Sequence, residues 1–134
     1  MNIAVDVMGG DRGCEVVIDG LMQALKKCQQ IETIQIVGNE IEISQSLDRL
    51  DNIDSRLQIV HASEVLSMDD KPVEGLRKKK NCSLAVAMDL VKTGKSDAII
   101  SPGNTGGVVA AAAIKLRTLS GIDRPGIAAV LPSK

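Results

Sequence analysis

The sequence predicts an α/β protein with a doubly wound, mostly parallel sheet and helices on both faces. Short runs rich in Ile and Val recur along the chain without strict alternation of apolar and polar residues, which is typical of strands covered on both faces. Segments with helical periodicity lie between several of these runs, and such alternation favours right-handed crossovers. Glycine-rich loops join two of the runs to the helices that follow them. We therefore expect one α/β domain over residues 1–134.

Five runs are predicted to be strands, at residues 3–8, 33–37, 56–61, 97–101 and 126–131. No helix follows the last run to cover it. We therefore expect the sheet to be incomplete at the C-terminus and the domain to be the N-terminal part of a longer α/β enzyme.

Four helices are predicted between these strands. Apolar residues recur at helical spacing over residues 14–30, where they are Val17, Leu21, Ala24, Leu25 and Cys28. Asn39, followed by Glu42, resembles a capping box at the start of the second helix.

The other two helices are defined by their ends. Ser83 is predicted to cap the third helix, which Gly94 ends. The fourth begins at Asn104 or Thr105 and runs to Arg117. Because it is apolar nearly all round, we expect it to be buried against the sheet.

The composition excludes several classes of function. Sixteen basic and seventeen acidic residues give a net charge of −1, so the chain as a whole does not attract nucleic acid or anionic lipid. Phe, Trp and Tyr are absent, which leaves no platform for base stacking, and we expect no nucleic-acid partner. The N-terminus lacks the pattern of a secretory signal, and no apolar run approaches the roughly 20 residues of a membrane span. We expect a cytoplasmic protein.

The residues with reactive side chains do not form a recognisable catalytic motif. Cys14, Cys28 and Cys82 are odd in number and widely spaced, which favours packed thiols in a reducing compartment. His61 is the only histidine and is expected to be structural. We predict no metal site and no cofactor.

Two glycine-rich loops carry the strongest functional signal, "MGGDRG" at residues 8–13 and "SPGNTGG" at residues 101–107. Loops after parallel strands lie at one edge of the sheet, in front of helix N-termini whose N–H groups favour an anion. We predict phosphate there. Neither loop matches the strict ATP or NAD signatures, and residues 103–106 lack the basic surroundings of a nucleic-acid-binding G-x-x-G loop. A tight turn without a ligand is the structural alternative.

Charged residues suggest further interpretations. Asp6 and Asp11 flank the first loop and could form a carboxylate pair for acid–base or metal chemistry, although capping and turn roles fit the pattern equally well. The basic run at residues 77–80 is either a solvated face or a binding surface for an anionic substrate or an acidic protein. At most two of its four cations can face one site.

Four blocks in the same order resemble one known family. They are "IAVDVMGGD" at 3–11, "SEVLSMDDKPVEGLRKKKNCS" at 63–83, "SPGNTGG" at 101–107 and "GIDRPGIAAVLP" at 121–132. Together they resemble the PlsX family, the phosphate acyltransferases of bacterial phospholipid synthesis. The resemblance implies a phosphotransacetylase-like fold and transfer of a fatty acyl group from acyl carrier protein to inorganic phosphate. It also implies a homodimer and a membrane acyltransferase that uses the acyl phosphate, with the protein in the cytoplasm or peripheral at the inner face of the membrane.

The resemblance also suggests roles for individual residues. The second loop would hold phosphate or the developing oxyanion, with Asn104 as the catalytic residue. Its other binding residues would be Ser101, Gly103, Thr105 and Gly106, while Gly9, Gly10 and Asp11 form the adjoining wall and Arg77 or Lys79 supplies a cation. A short-chain enzyme that uses coenzyme A and a non-catalytic anion-binding domain are the alternative functions.

Overall fold

The computed structural model describes residues 1–129 and confirms the predicted α/β class. Four strands and five helices lie in this range. They are β1 (Asn2–Asp6), α1 (Gly13–Lys27), β2 (Thr33–Gly38), α2 (Glu40–Leu47), β3 (Leu57–His61), α3 (Pro72–Lys78), α4 (Ser83–Lys92), β4 (Ala98–Ile100) and α5 (Thr105–Lys115).

The four strands form a parallel sheet in the order β3-β2-β1-β4. Val5 of β1 pairs with Ile36 of β2 on one side and with Ile100 of β4 on the other. The chain thus builds outward from β1 to β3 and then returns to the opposite side of β1. The strand order reverses between β1 and β4, and open α/β sheets bind ligands at such a switch point.

The first face of the sheet is covered by α1 and α2. Ile18 and Leu25 of α1 and Ile43 of α2 are buried with apolar side chains of β1 and β2, including Val5 and Ile36. This cluster is the main core. It fixes the positions at which β1 ends and α1 begins.

The opposite face is covered by α4, with α3 and α5 outside it. Ala87 and Leu90 of α4 pack against Ala4 and Val37 of the sheet. The prediction that α5 is buried against the sheet is wrong, because this helix packs mainly on α3 and α4. In α5 only Gly107 and Ala111 are buried, since α4 already covers the sheet beside them.

The predictions for the helix caps are confirmed in part. The Asn39 side chain caps α2 by accepting hydrogen bonds from the N–H groups of Ile41 and Glu42. Gly94, which follows the C-cap residue Thr93 of α4, has a positive φ. The prediction that Ser83 is the N-cap of α4 is wrong, because Cys82 occupies that position and Ser83 is the first helical residue.

Two other predictions are corrected. Residues 126–129 do not form a strand in the described part of the chain; they are exposed and have no neighbouring strand to pair with, and residues 130 and 131 lie outside the described residues. Cys28 is not packed but exposed, because α1 ends one residue before it. Cys14 and Cys82 are buried, as expected. None of the helices described over residues 1–129 has the length and apolar character needed to cross a membrane.

Candidate functional site

The carboxylate of Asp6 joins the two glycine-rich loops. Asp6 ends β1 and is 2% exposed. Its Oδ1 accepts hydrogen bonds from the N–H groups of Met8 and Gly9 at 3.1 and 3.2 Å. Its Oδ2 accepts a hydrogen bond of 2.8 Å from the hydroxyl of Ser101, which follows β4. Since a buried carboxylate is stable only when it is well hydrogen-bonded, this residue holds the two loops in one arrangement.

Gly9 and Gly103 bring the two loop backbones into contact. A Cβ atom on Gly9 would lie 3.0 Å from Gly103 Cα and 2.8 Å from Asp6 Oδ2, and a Cβ atom on Gly103 would lie 3.0 Å from Gly9 Cα. Atoms this close leave no room for a side chain. These glycines therefore permit close approach of two backbones, and the switch point of the sheet is narrow.

The amides of Gly9 and Gly103 are both occupied by protein acceptors. Gly9 N–H donates to Asp6, and Gly103 N–H donates to the hydroxyl oxygen of Ser101 at 3.2 Å. Ser101 thus connects Asp6 to the second loop. The amides of Gly9 and Gly103 therefore hold the two loops in place and are not available to a ligand, which needs free donors.

Asn104 connects the second loop to a third segment, the loop between β3 and α3. Its Oδ1 accepts a hydrogen bond of 2.9 Å from Gly107 N–H and so caps α5. Its Nδ2 donates to the carbonyl oxygens of Met68 and Asp70 at 3.1 and 3.5 Å. The second of these contacts is long for a hydrogen bond. The predicted catalytic role of Asn104 stays a prediction, and its position is set by these contacts.

The first turn of α5 offers free donors. Within residues 1–129 the N–H groups of Thr105 and Gly106 have no hydrogen-bond acceptor, and both residues are exposed. The first turn contains no acidic residue. A helix N-terminus of this kind attracts an anion through its N–H groups and its dipole.

Gly10 and Asp11 lie on the other side of the switch point, at the start of α1. They line a cavity of about 220 Å³ that also includes Gly13 and Pro102. Arg12 precedes α1 but its side chain does not cap the helix. Residues of both loops therefore line this cavity, and Asp11 places an exposed carboxylate at its edge.

The two predicted cations occupy different environments. Lys79 Nζ forms an ion pair with Asp70 and donates a hydrogen bond of 2.9 Å to the carbonyl oxygen of Val65. The hydrogen bond from Lys79, followed by that from Ser67 N–H, lowers the pKa of Asp70 to about 2. Arg77 is exposed and lines a separate cavity with Lys80 and Lys115. Lys79 thus stabilises the loop that Asn104 contacts, and Arg77 faces elsewhere.

The remaining candidates have structural contacts. His61 Nδ1 accepts a hydrogen bond of 3.3 Å from Glu40 N–H at the start of α2, which agrees with a structural role. Asp6 has the turn role that the sequence left open. Over residues 1–129 no group of three or more His, Cys, Asp or Glu side chains could hold a metal ion.

Sequence reasoning did not find the central position of Asp6 or the buried hydroxyl of Ser83. Ser83 Oγ has no hydrogen-bond partner among the described residues. The signal for Asp6 was present, since it is an acidic residue at the end of an otherwise apolar strand and before a glycine-rich loop. Its partner Ser101 is 95 residues away, so the pairing needed the sheet order.

Comparison with known proteins identifies the family. A family model described as fatty acid synthesis protein matches residues 1–134. The chain belongs to this family. Proteins named phosphate acyltransferase are similar to it: that of Akkermansia muciniphila is 46% identical over 134 residues, that of Magnetococcus marinus 44% over 133 residues and that of Coxiella burnetii 43% over 134 residues.

These alignments cover 100%, 99% and 98% of the chain, respectively, but only 38%, 38% and 39% of the three relatives. The chain therefore spans less than half the length of the relatives it matches. The family predicted from the four sequence blocks is confirmed.

The contact between the loops leads to a prediction for Gly103. Gly103→Ala should destabilise the fold by about 1–3 kcal/mol, because the new methyl group must push the Gly9 backbone away. The control is Gly20→Ala in α1, where a Cβ atom meets nothing within 4 Å and helix propensity predicts a gain of up to about 1 kcal/mol. Urea unfolding measures both. Equal stability of the two variants would contradict the close contact of the loops.

The ion pair between Asp70 and Lys79 leads to a second prediction, on pH. Because the folded pKa of Asp70 is about 2, below its ordinary value of 3.8, the stability that the pair contributes is present above about pH 4 and is lost as the pH falls towards 2. Carboxyl NMR of Lys79→Met should show the Asp70 midpoint moving up towards 3.8.

Asp54 is the internal control for this titration. Its pKa is also about 2, and the first cause is its hydrogen bond with Arg56 rather than with a lysine. The Asp54 midpoint should not move in Lys79→Met. An unchanged Asp70 midpoint would show that Lys79 is not its main partner.

Proposed function

We propose that the two loops form the phosphate site of an acyltransferase that moves a fatty acyl group from acyl carrier protein to inorganic phosphate. The observation that carries this proposal is the pair of N–H groups on Thr105 and Gly106, which have no acceptor within residues 1–129 and are exposed at the switch point of the sheet. Membership of the family and relatives named phosphate acyltransferase support the same reaction.

The reaction needs no nucleophile from the protein. A phosphate oxygen attacks the carbonyl carbon of the acyl thioester, forming a C–O bond, and the carbonyl oxygen becomes an oxyanion. The C–S bond then breaks and the sulfur leaves as a thiolate, which takes up the proton lost by the attacking phosphate. What the protein must supply is alignment of the reactants and hydrogen-bond donors for the oxyanion.

The described residues can supply these donors. We assign phosphate binding to the N–H groups of Thr105 and Gly106, with Gly10 and Asp11 forming the opposite wall. Asp6, Gly9, Ser101 and Gly103 position the loops through the contacts described above. Asn104 Nδ2 is the proposed oxyanion donor, which would replace its long contact of 3.5 Å with the carbonyl oxygen of Asp70.

The partners form part of the same proposal. Acyl carrier protein is the proposed donor, the whole protein is proposed to act as a homodimer, and its acyl phosphate product is proposed to pass to a membrane acyltransferase at the inner face of the membrane. Coenzyme A thioesters are the competing donor. An assay of the full-length protein with each donor decides between the two, and turnover of neither would favour a non-catalytic anion-binding domain.

Phosphate binding can be tested on the 134-residue chain by amide NMR. Inorganic phosphate should shift the Thr105 and Gly106 amides saturably and more strongly than the Gly103 amide, because Gly103 N–H already donates to Ser101. Amides in α2, on the far side of the sheet, serve as the control. A well-dispersed spectrum without shifts at Thr105 and Gly106 would overturn the assignment of the phosphate site.

The role of Asn104 is tested by kinetics on the full-length protein. Asn104→Ser keeps a side chain that can cap α5 but removes the amide donor, so kcat should fall by about 10² or more. Asn104→Ala removes both functions and should also lower stability by about 1 kcal/mol. Unchanged turnover in a folded Asn104→Ser variant would remove this side chain from the mechanism.

A further inference from the structure

A second cavity lies on the outer side of the molecule, between α3, α4 and α5. It has a volume of about 200 Å³, and we call it the α3–α5 cavity. Its apolar lining is formed by Leu76, Ala85, Ala111 and Ile114. Ile114 is 53% exposed although it is a large apolar residue. The apolar surface that the cavity exposes is therefore that of Ile114 and of the half-buried Leu76, while Ala85 and Ala111 are each 1% exposed.

All the charged residues that line this cavity are positive: Arg77, Lys80 and Lys115. Lys115 forms an ion pair with Asp89. Arg77 and Lys80 have no acidic partner within residues 1–129. An apolar lining with two uncompensated cations beside it has the complementarity expected for a ligand that is apolar at one end and anionic at the other.

We propose that the α3–α5 cavity binds an amphiphilic anion, with its alkyl chain against Leu76, Ala111 and Ile114 and its phosphate or carboxylate head group at Arg77 and Lys80. Pockets that enclose a drug-sized ligand are typically about 300–1,000 Å³. At about 200 Å³, this cavity is smaller and takes only part of an alkyl chain. The head group stays at the surface, where both cations are exposed.

This site is distinct from the phosphate site at the switch point. The residues that line the α3–α5 cavity do not include any residue of the two glycine-rich loops. Arg77 is therefore reassigned from inorganic phosphate to an anion that carries a chain. The acyl phosphate of the proposed reaction is one such anion; that identification rests on the proposed function, whereas the chemical class follows from the cavity itself.

The test is a methyl NMR titration of the 134-residue chain with hexyl phosphate, compared with hexanol and with inorganic phosphate. Hexyl phosphate should shift the methyl groups of Leu76, Ala111 and Ile114 saturably. It should bind about fivefold more tightly than hexanol, because its phosphate head group forms a surface ion pair with each of the two exposed cations. Inorganic phosphate should leave these methyl groups unshifted, since it has no chain to bury.

Two variants separate the contributions of charge and apolar surface. Arg77→Gln combined with Lys80→Gln should weaken hexyl phosphate binding by about fivefold or more and leave hexanol binding unchanged. The matched control is Lys26→Gln combined with Lys27→Gln, which removes two exposed lysines from the last turn of α1 and should change neither. Ile114→Asp changes an exposed position, so the fold should persist while binding is lost.

Three results would overturn the proposal. They are methyl groups that do not respond to hexyl phosphate, a double Gln variant that binds it as tightly as the unmodified chain, and hexanol binding of equal strength. Failure here is distinguishable from failure of the proposed function, because the phosphate site is monitored at the amides of Thr105 and Gly106. If inorganic phosphate shifts those amides but hexyl phosphate does not shift the cavity methyl groups, the proposed function is retained and the proposal for the α3–α5 cavity is rejected.

Discussion

The arrangement of the site depends on one buried carboxylate. Asp6 lies at the end of the central strand β1, where it accepts hydrogen bonds from the loop that follows it and from Ser101 after β4. A charged group 2% exposed is tolerated because backbone and hydroxyl donors surround it, and charge-assisted hydrogen bonds are stronger than neutral ones. The two loops consequently have a fixed relative position.

The close approach of Gly9 and Gly103 follows from that connection. Because β1 and β4 are neighbours in the sheet, the loops that follow their carboxyl ends lie side by side. Gly9 and Gly103 have no side chains, so the two loop backbones can come into contact. Asn104 then adds the loop before α3 through the carbonyl oxygens of Met68 and Asp70. Three segments distant in sequence thus meet next to the start of α5, where the N–H groups of Thr105 and Gly106 have no acceptor within residues 1–129.

The positive charges that are adjacent in sequence have separate functions in the fold. Lys79 is directed towards Asp70 and the carbonyl oxygen of Val65 and stabilises the loop that Asn104 contacts. Arg77 and Lys80 are directed towards the α3–α5 cavity. The end of α3 at Lys78 contributes to this division, because Arg77 is helical whereas Lys79 and Lys80 follow the helix.

Much of the fold was determined locally. Strand runs, helix periodicity, the Asn39 cap and the glycine-rich loops could be recognised because each depends on residues close together in sequence, and the family followed from four ordered blocks. The environment of α5 could not be predicted, because an apolar helix can be covered by a sheet or by other helices, and only packing decides which. The fifth predicted strand had the right composition, yet over residues 126–129 it lacks a pairing neighbour.

For the site, the sequence by itself determined which segments carry the donors, since glycine-rich loops before helices leave N–H groups unshielded. Only the tertiary structure decided which donors are free. In the described residues, the N–H groups of Gly9 and Gly103 donate to protein acceptors, whereas those of Thr105 and Gly106 have none. Arg77 lines a cavity away from the two loops. The physical reason is that hydrogen bonds and ion pairs between residues such as Asp6 and Ser101 depend on strand order, which brings together groups that are far apart along the chain.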